Sequence, residues 1–342
     1  MTRGRGWLRG VAGHYWTLAP FARHHARLGR AQPNSWSLTL ADARFGAVRL
    51  TGVAQGQAST AFLLIHGLGG SPASHYLLDA ERALRERGLA SLRLAQRGAD
   101  RLGEDLHHAG LYQDLVQVIE RGFPASVRDI CVLGFSMGGH VALRLAAASV
   151  PRLRAVAAVC SPLDLDLAVH FVDTHIPAYR RYLLHGLIQV YAAIGARRRH
   201  WSPLPEVRAA RSLREWDSLT VVPRFGFADA ETYYHSQSAR HVLSALRVPA
   251  LLLYASDDPI IRPDSIEPAL RSSATCRNLS VLRVRGGGHV GFPAGLDLGF
   301  GPRKGLSHQL ITWCLQKSEA QALGNERCAD GNTAAHDLVE GP

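Results

Sequence analysis

Lysine is almost missing from this chain: Lys304 and Lys317 are the only two, so the net charge of +11 over 342 residues rests on arginine. No RNP, zinc-finger or helix-turn-helix pattern accompanies that charge, which sets nucleic-acid binding aside. A basic surface still leaves room for a weak peripheral contact with a membrane. Cysteine is sparse. Cys131, Cys160, Cys276, Cys314 and Cys328 are odd in number and widely spaced, with no C-x-x-C pair. That spacing excludes a disulfide framework and suits reduced thiols. Long apolar runs are absent too, since none approaches the roughly 18 residues that a membrane span needs. The basic N-terminus leads into Val11–Ala19, but His14, Tyr15 and Trp16 interrupt it as a signal-peptide core. The expected location is therefore cytoplasmic. No internal repeat is present.

What is present is alternation. Ala61–Ile65, Leu89–Ala95, Asp129–Leu133 and Leu153–Cys160 are short apolar runs of strand length, and amphipathic stretches at His75–Arg87, Leu111–Arg121 and Met137–Ala148 lie between them. This rhythm predicts βαβ crossovers and a mostly parallel central sheet with helices on both faces. It breaks between about Leu163 and Leu246, where helical segments rich in Tyr, His and Arg replace it, among them Ala178–Ala193 and Glu206–Trp216. It resumes with Ala250–Tyr254, Asp264–Arg271, Leu279–Val284 and a helix near Leu306–Gln316. The expected organisation is an N-terminal segment with edge strands (1–58), a core (59–162 and 247–318), an inserted helical cap (163–246) and a polar, disordered tail (319–342).

Gly134-Phe135-Ser136-Met137-Gly138 matches G-x-S-x-G, with a strand before it and a helix directly after. A nucleophile elbow needs that context, because the serine sits on a strained turn that small residues must flank; Gly134 and Gly138 meet the need. A serine hydroxyl requires a base. Among 17 histidines, His289 stands out in Gly286-Gly287-Gly288-His289-Val290-Gly291, directly after the last strand. An acid should lie between the two in sequence, and Ser256-Asp257-Asp258-Pro259 follows the Ala250–Tyr254 strand. Asp258 is preferred because Pro and two isoleucines follow it; Asp257 is the alternative. The oxyanion donors expected are the amides of Met137 and of Leu68, the latter in the turn His66-Gly67-Leu68-Gly69-Gly70. This order of motifs implies an α/β-hydrolase fold and a serine hydrolase working through an acyl-enzyme. It implies no metal and no cofactor: His107 and His108 are adjacent on a loop without Asp or Cys partners for an ion.

The residues His66–Ser71, Ser74-His75-Tyr76, Arg97-Gly98, His108–Leu115, Gly226–Ala230, Tyr233-Tyr234 and Gly287–Phe292 together resemble the YheT-like α/β-hydrolases, bacterial relatives of the animal abhydrolase-domain lipases. The similarity spans about Ser59 to Gln316. Ala95-Gln96 depart from it, standing where an aromatic or Asn-Phe pair is common, and His14–Thr17 matches only loosely a His-Leu-Gln-Thr segment. The resemblance implies hydrolysis of carboxylic esters or acylglycerols, with short- to medium-chain acyl esters expected as substrates. An acyltransferase or thioesterase on the same triad is the alternative, and a non-catalytic binding protein a third. Arg97 is expected in a structural ion pair. Oligomeric state is left open.

Overall fold

The computed structural model describes residues 12–20, 22, 35–102, 105–195, 197, 199, 201–272 and 276–333. Residues 12–20 form helix α1. Then come β1 (Trp36–Asp42), β2 (Gly46–Gln55), β3 (Thr60–Ile65), α2 (His75–Arg85), β4 (Ala90–Ala95), α3 (Gln113–Arg121), β5 (Asp129–Phe135), α4 (Met137–Ala146) and β6 (Leu153–Val159). Six helices follow: α5 (Leu165–His175), α6 (Pro177–Gly195), α7 (Leu204–Ala209), α8 (Leu213–Leu219), α9 (Val221–Phe225) and α10 (Ala230–Gln237). The chain closes with β7 (Ala250–Ala255), α11 (Pro263–Ser272), β8 (Leu279–Val284) and α12 (Leu306–Thr333).

The eight strands form one sheet in the order β1-β2-β4-β3-β5-β6-β7-β8. β1–β2 and β2–β4 pair antiparallel, and every other pair is parallel. The central strands are buried on both faces, which is why they read as unbroken apolar runs. Alternate side chains divide between two cores. Leu63, Ile65, Val132, Val156 and Leu252 pack under α3 and α4. Phe62, Leu64, Leu133, Val159 and Leu253 pack under α2 and the start of α12. A third cluster, with Leu187, Tyr191, Trp216 and Tyr234, belongs to the inserted helices and closes onto Met137 beside the elbow.

Two segments differ from expectation. The stretch Glu206–Trp216 is two helices, not one. Ser212 takes the Glu215 amide on its hydroxyl at 3.1 Å, while the Glu215 carboxylate takes the Arg211 amide at 2.6 Å. This local pairing starts α8 afresh and is a variant of the capping box. Further on, α12 runs past Glu319 to Thr333, into the segment expected to be disordered, and residues 334–342 lie outside those described.

A buried ionic cluster ties the inserted helices to the sheet. Arg97 makes a bidentate pair with Asp114 (2.7 and 2.6 Å) and reaches Asp42 at 2.6 Å and Asp105 at 2.7 Å. Arg224 of α9 enters the same cluster through Asp105 (2.7 and 2.6 Å) and Asp42 (3.2 Å). Burial pushes the Asp114 carboxyl up despite its Arg97 partner. Charges so placed persist only because each is paired and hydrogen-bonded.

Candidate active site

Ser136 sits between β5 and α4 with φ 54° and ψ −124°, a strained conformation that lifts its hydroxyl out of the sheet edge. Its flanking glycines are required by contact. A Cβ on Gly134 would lie 2.4 Å from the Gly138 carbonyl oxygen, and one on Gly138 would lie 2.4 Å from that of His66. The β3 loop crosses directly over the serine, for a Cβ on Gly67 would approach the Ser136 Cβ to 2.8 Å. Met137 is the first residue of α4, where an amide has no carbonyl one turn back to bond. Leu68 and Met137 both line the cavity above Ser136.

The Ser136 hydroxyl lies 2.9 Å from Nε2 of His289, and Nδ1 of the same ring lies 3.0 Å from Oδ2 of Asp258. The other carboxylate oxygen of Asp258 accepts the amides of Ile260 (2.8 Å) and Ile261 (2.9 Å). The apolar residues after Pro259 therefore turn back and fix the acid. Asp258, its side chain fully buried, faces the imidazole; Asp257 is half-buried and instead presents its backbone carbonyl to Gly13 of α1. With the Nδ1 proton directed at Asp258, Nε2 is left to accept a hydrogen bond from the Ser136 hydroxyl.

Three supports of this constellation lie outside the triad and oxyanion motifs. Their only signals in sequence are the loose match of His14–Thr17 to a His-Leu-Gln-Thr segment and the departure at Gln96. The first is α1. Thr17 accepts the His289 amide on its hydroxyl at 2.8 Å and donates to the Gly13 carbonyl at 2.8 Å. The fit is close: a Cβ on Gly288 would come within 2.2 Å of the Gly13 carbonyl oxygen, and one on Gly13 within 1.8 Å of the Asp257 carbonyl oxygen. His14 on the same helix meets the Tyr179 hydroxyl of α6 at 2.9 Å. The second is Gln96. Its side-chain amide donates to the His66 carbonyl (2.9 Å) and its backbone amide to His66 Nε2 (3.2 Å), which fixes the turn over Ser136. Burial, with His107 nearby, holds the His66 imidazole down to about 3, so the ring is neutral.

The third is Cys160, behind the acid. Its Sγ, with heteroatoms of Asp258 and His289, belongs to a group lying within 4.8 Å. Metal ligation by this trio would need a thiolate. Burial and the Asp258 charge push the Cys160 thiol well up, and the Asp258 and His289 atoms already share a hydrogen bond. His107 and His108 are both neutral by burial, the first donating to the Arg97 carbonyl at 3.0 Å and the second accepting the Gly110 amide at 3.1 Å.

Above the serine lies a cavity of about 1270 Å³ between the sheet edge and the inserted helices. Its walls are mainly apolar, with α6 contributing Tyr179, Leu183, Leu187 and Val190 at helical spacing. The one acid of the inserted helices on its wall is Asp217, which accepts from the Tyr234 hydroxyl at 2.6 Å. Burial raises its carboxyl to about 7, against the opposing pull of that hydrogen bond.

The model of the "Alpha/beta hydrolase family" matches residues 62–296. The chain is 28% identical over 290 residues to YheT of Escherichia coli (strain K12), a protein to which an esterase activity is ascribed, covering 79% of this chain and 80% of that one. It is 27% identical over 206 residues to the monoacylglycerol lipase of Saccharomyces cerevisiae, covering 55% of this chain but 43% of the lipase. The chain thus spans most of the first relative and less than half of the second. Among solved structures, the alpha/beta hydrolase GrgF from Penicillium sp. sh18 superposes with a TM-score of 0.52 at 17% identity, covering 84% of this chain and 100% of that one. A 2,6-dihydroxy-pseudo-oxynicotine hydrolase does so at 0.53 and 18%, covering 84% and 69%. These two likenesses concern the fold.

Proposed function

Since the chain belongs to the α/β-hydrolase family, we propose that it is a serine hydrolase of carboxylic esters, with Ser136 as nucleophile, His289 as base and Asp258 as the orienting acid. The observation that carries this reading is the unbroken chain of hydrogen bonds from the Ser136 hydroxyl through both ring nitrogens of His289 to Asp258. In the reaction the Ser136 oxygen attacks the ester carbonyl carbon while its proton passes to His289 Nε2. The carbonyl oxygen becomes an anion received by the Leu68 and Met137 amides. As the tetrahedral intermediate collapses, the carbon–oxygen bond to the alcohol breaks and His289 returns the proton to the departing alkoxide. Water then repeats the sequence on the acyl-enzyme: His289 takes its proton, the acid leaves, and Ser136 recovers its hydrogen. Asp258 holds the tautomer and offsets the imidazolium charge without taking the proton.

The substrate reading is an acyl ester or acylglycerol. Short- to medium-chain acyl groups are the expected acyl portion, supported by the mainly apolar walls of the cavity. Its volume of about 1270 Å³ also exceeds the roughly 300–1,000 Å³ typical of small-molecule sites, which favours a substrate with the bulk of an acylglycerol. A fluorophosphonate probe followed by peptide mapping tests the nucleophile. An adduct on Ser136, and p-nitrophenyl ester turnover that vanishes in Ser136→Ala, are expected. Folded protein that turns over esters with Ser136 unlabelled, or with Ser136→Ala fully active, refutes the assignment.

A further inference from the structure

The opening of the cavity carries side chains that the chemistry does not use. Leu18 on α1, Leu102 on the loop after β4 and Tyr182 on α6 all line it, yet they are 50%, 46% and 53% exposed. Tyr15, on the turn of α1 before Leu18, is also exposed. Apolar residues scattered singly over a surface need no explanation. Three from separate segments that converge on one opening do.

The loop that carries Leu102 is built to present it. The Leu102 amide donates to Asp100 Oδ1 at 2.9 Å and the Arg101 amide to the Gly98 carbonyl at 2.8 Å. Arg101 itself is held at φ 57°, in the left-handed region that an arginine adopts only at a cost. The charges around this rim are basic. Arg101 lines the opening, and the Arg197 guanidinium reaches the Arg101 carbonyl at 3.5 Å; both arginines are exposed. Of the carboxylates in the described part of this loop, Asp100 is engaged by the Thr51 hydroxyl at 2.5 Å and by the Leu102 amide, and Asp105 is buried against Arg97 and Arg224.

We propose that the mouth of the cavity docks on an anionic lipid surface, with Leu18, Leu102 and Tyr182 entering the boundary between headgroups and acyl chains and Arg101 and Arg197 meeting lipid phosphates. Such an arrangement combines a shallow apolar insertion with electrostatic attraction. It deepens the ester-hydrolase reading, and rests on it only for the outcome. An acyl ester resident in the bilayer passes from lipid into an apolar cavity without crossing water, which names the substrate class as membrane-soluble lipid esters. An enzyme for water-soluble short esters has no use for an exposed apolar rim at its entrance.

Sedimentation of the full-length Ser136→Ala protein with vesicles separates the two claims, because no catalysis is needed to read it. Binding is expected to vesicles of equal phosphatidylglycerol and phosphatidylcholine, and to weaken as salt screens the surface. Each basic residue at an anionic surface is worth about fivefold in partitioning, so Arg101→Ala with Arg197→Ala is expected to lower it by about 25-fold. Arg101→Lys with Arg197→Lys retains it. Leu18→Ser with Tyr182→Ser weakens binding to the same vesicles at every salt concentration. Equal binding to pure phosphatidylcholine, no binding to either vesicle, or full binding by the double alanine variant overturns the proposal. An absent fluorophosphonate adduct on Ser136, by contrast, removes the hydrolase assignment and leaves the vesicle result standing.

Discussion

Replacing Thr17 by valine removes a single oxygen and keeps the shape of the side chain. That oxygen is the acceptor of the His289 amide at 2.8 Å, supplied by a helix 272 positions away in sequence. Leaving a part-buried amide without its partner costs about 1–3 kcal/mol. Valine and threonine have similar helix propensities, so α1 itself loses little. The question is where the cost falls. If the native loop absorbs it by rotating His289 away from Ser136, it appears in kcat as a drop of roughly five- to 150-fold, by the 1.4 kcal/mol per decade relation. KM should stay within about twofold, since valine keeps the volume that Thr17 presents to the cavity. Thr17→Ser keeps the acceptor and should recover most of the rate. The assay is steady-state turnover of a p-nitrophenyl ester with thermal unfolding measured alongside. A valine variant with unchanged kcat refutes the positioning role. A serine variant as impaired as the valine one shows that restoring the acceptor does not restore the rate, and refutes the assignment of the loss to that hydrogen bond.

Asp258→Asn should lower kcat by about three to four orders of magnitude with the fold intact, because the amide misorients the imidazole, whereas Asp257→Asn should stay within about threefold; equal losses would show that the two acids are not distinguished as the hydrogen bonds suggest. Arg224→Ala leaves the Asp105 and Asp42 carboxylates short of one partner in a buried cluster, and denaturant unfolding should report a loss of about 3–5 kcal/mol; a loss under 1 kcal/mol contradicts the pairing. Asp217 has a folded-state pKa raised to about 7, so its neutral form favours the folded state below pH 4 and that advantage is lost as pH rises toward 7. Asp217→Asn stays neutral throughout, so its stability relative to the parent should rise between pH 4 and 8 by up to the order of 4 kcal/mol; a pH-independent difference in melting refutes the burial argument.

Much of the sheet was legible because its physics is local. β3, β5, β6 and β7 are covered on both faces, so each is a short continuous run of apolar residues, and a run of that length between turn residues has few other destinations. The elbow was legible for a related reason. Gly134 and Gly138 are forced by contacts within a few residues of Ser136 and with the neighbouring strand β3, so the constraint is written next to the serine itself. Glu206–Trp216 misled because apolar spacing continues across Ala210–Ser212, while the break is made by hydrogen bonds between Arg211, Ser212 and Glu215, which no periodicity registers.

The supports of the site were not legible, and the reason lies in how they are encoded. Ser136, Asp258 and His289 each stand at the end of a strand, where residue type and position announce a role. Thr17 stands in a short helix among His14, Tyr15 and Trp16, and although His14–Thr17 loosely matches a His-Leu-Gln-Thr segment, nothing near it in sequence says what its hydroxyl binds. The requirement comes from the far end of the chain, where Gly288 and Gly291 clear space for the backbone of Gly13 and Trp16. Those glycines read at first as freedom for a histidine loop. In the folded protein they do the opposite: they admit a helix close enough to fix the loop by a direct hydrogen bond. Gln96 follows the same logic. It departs from the residues common in similar chains at that position, yet its side chain clamps the turn over Ser136 through the His66 carbonyl. A departure that looks like a weakened motif is therefore a local solution to holding one turn. Its effect on substrate choice can be read only through the cavity that the turn borders.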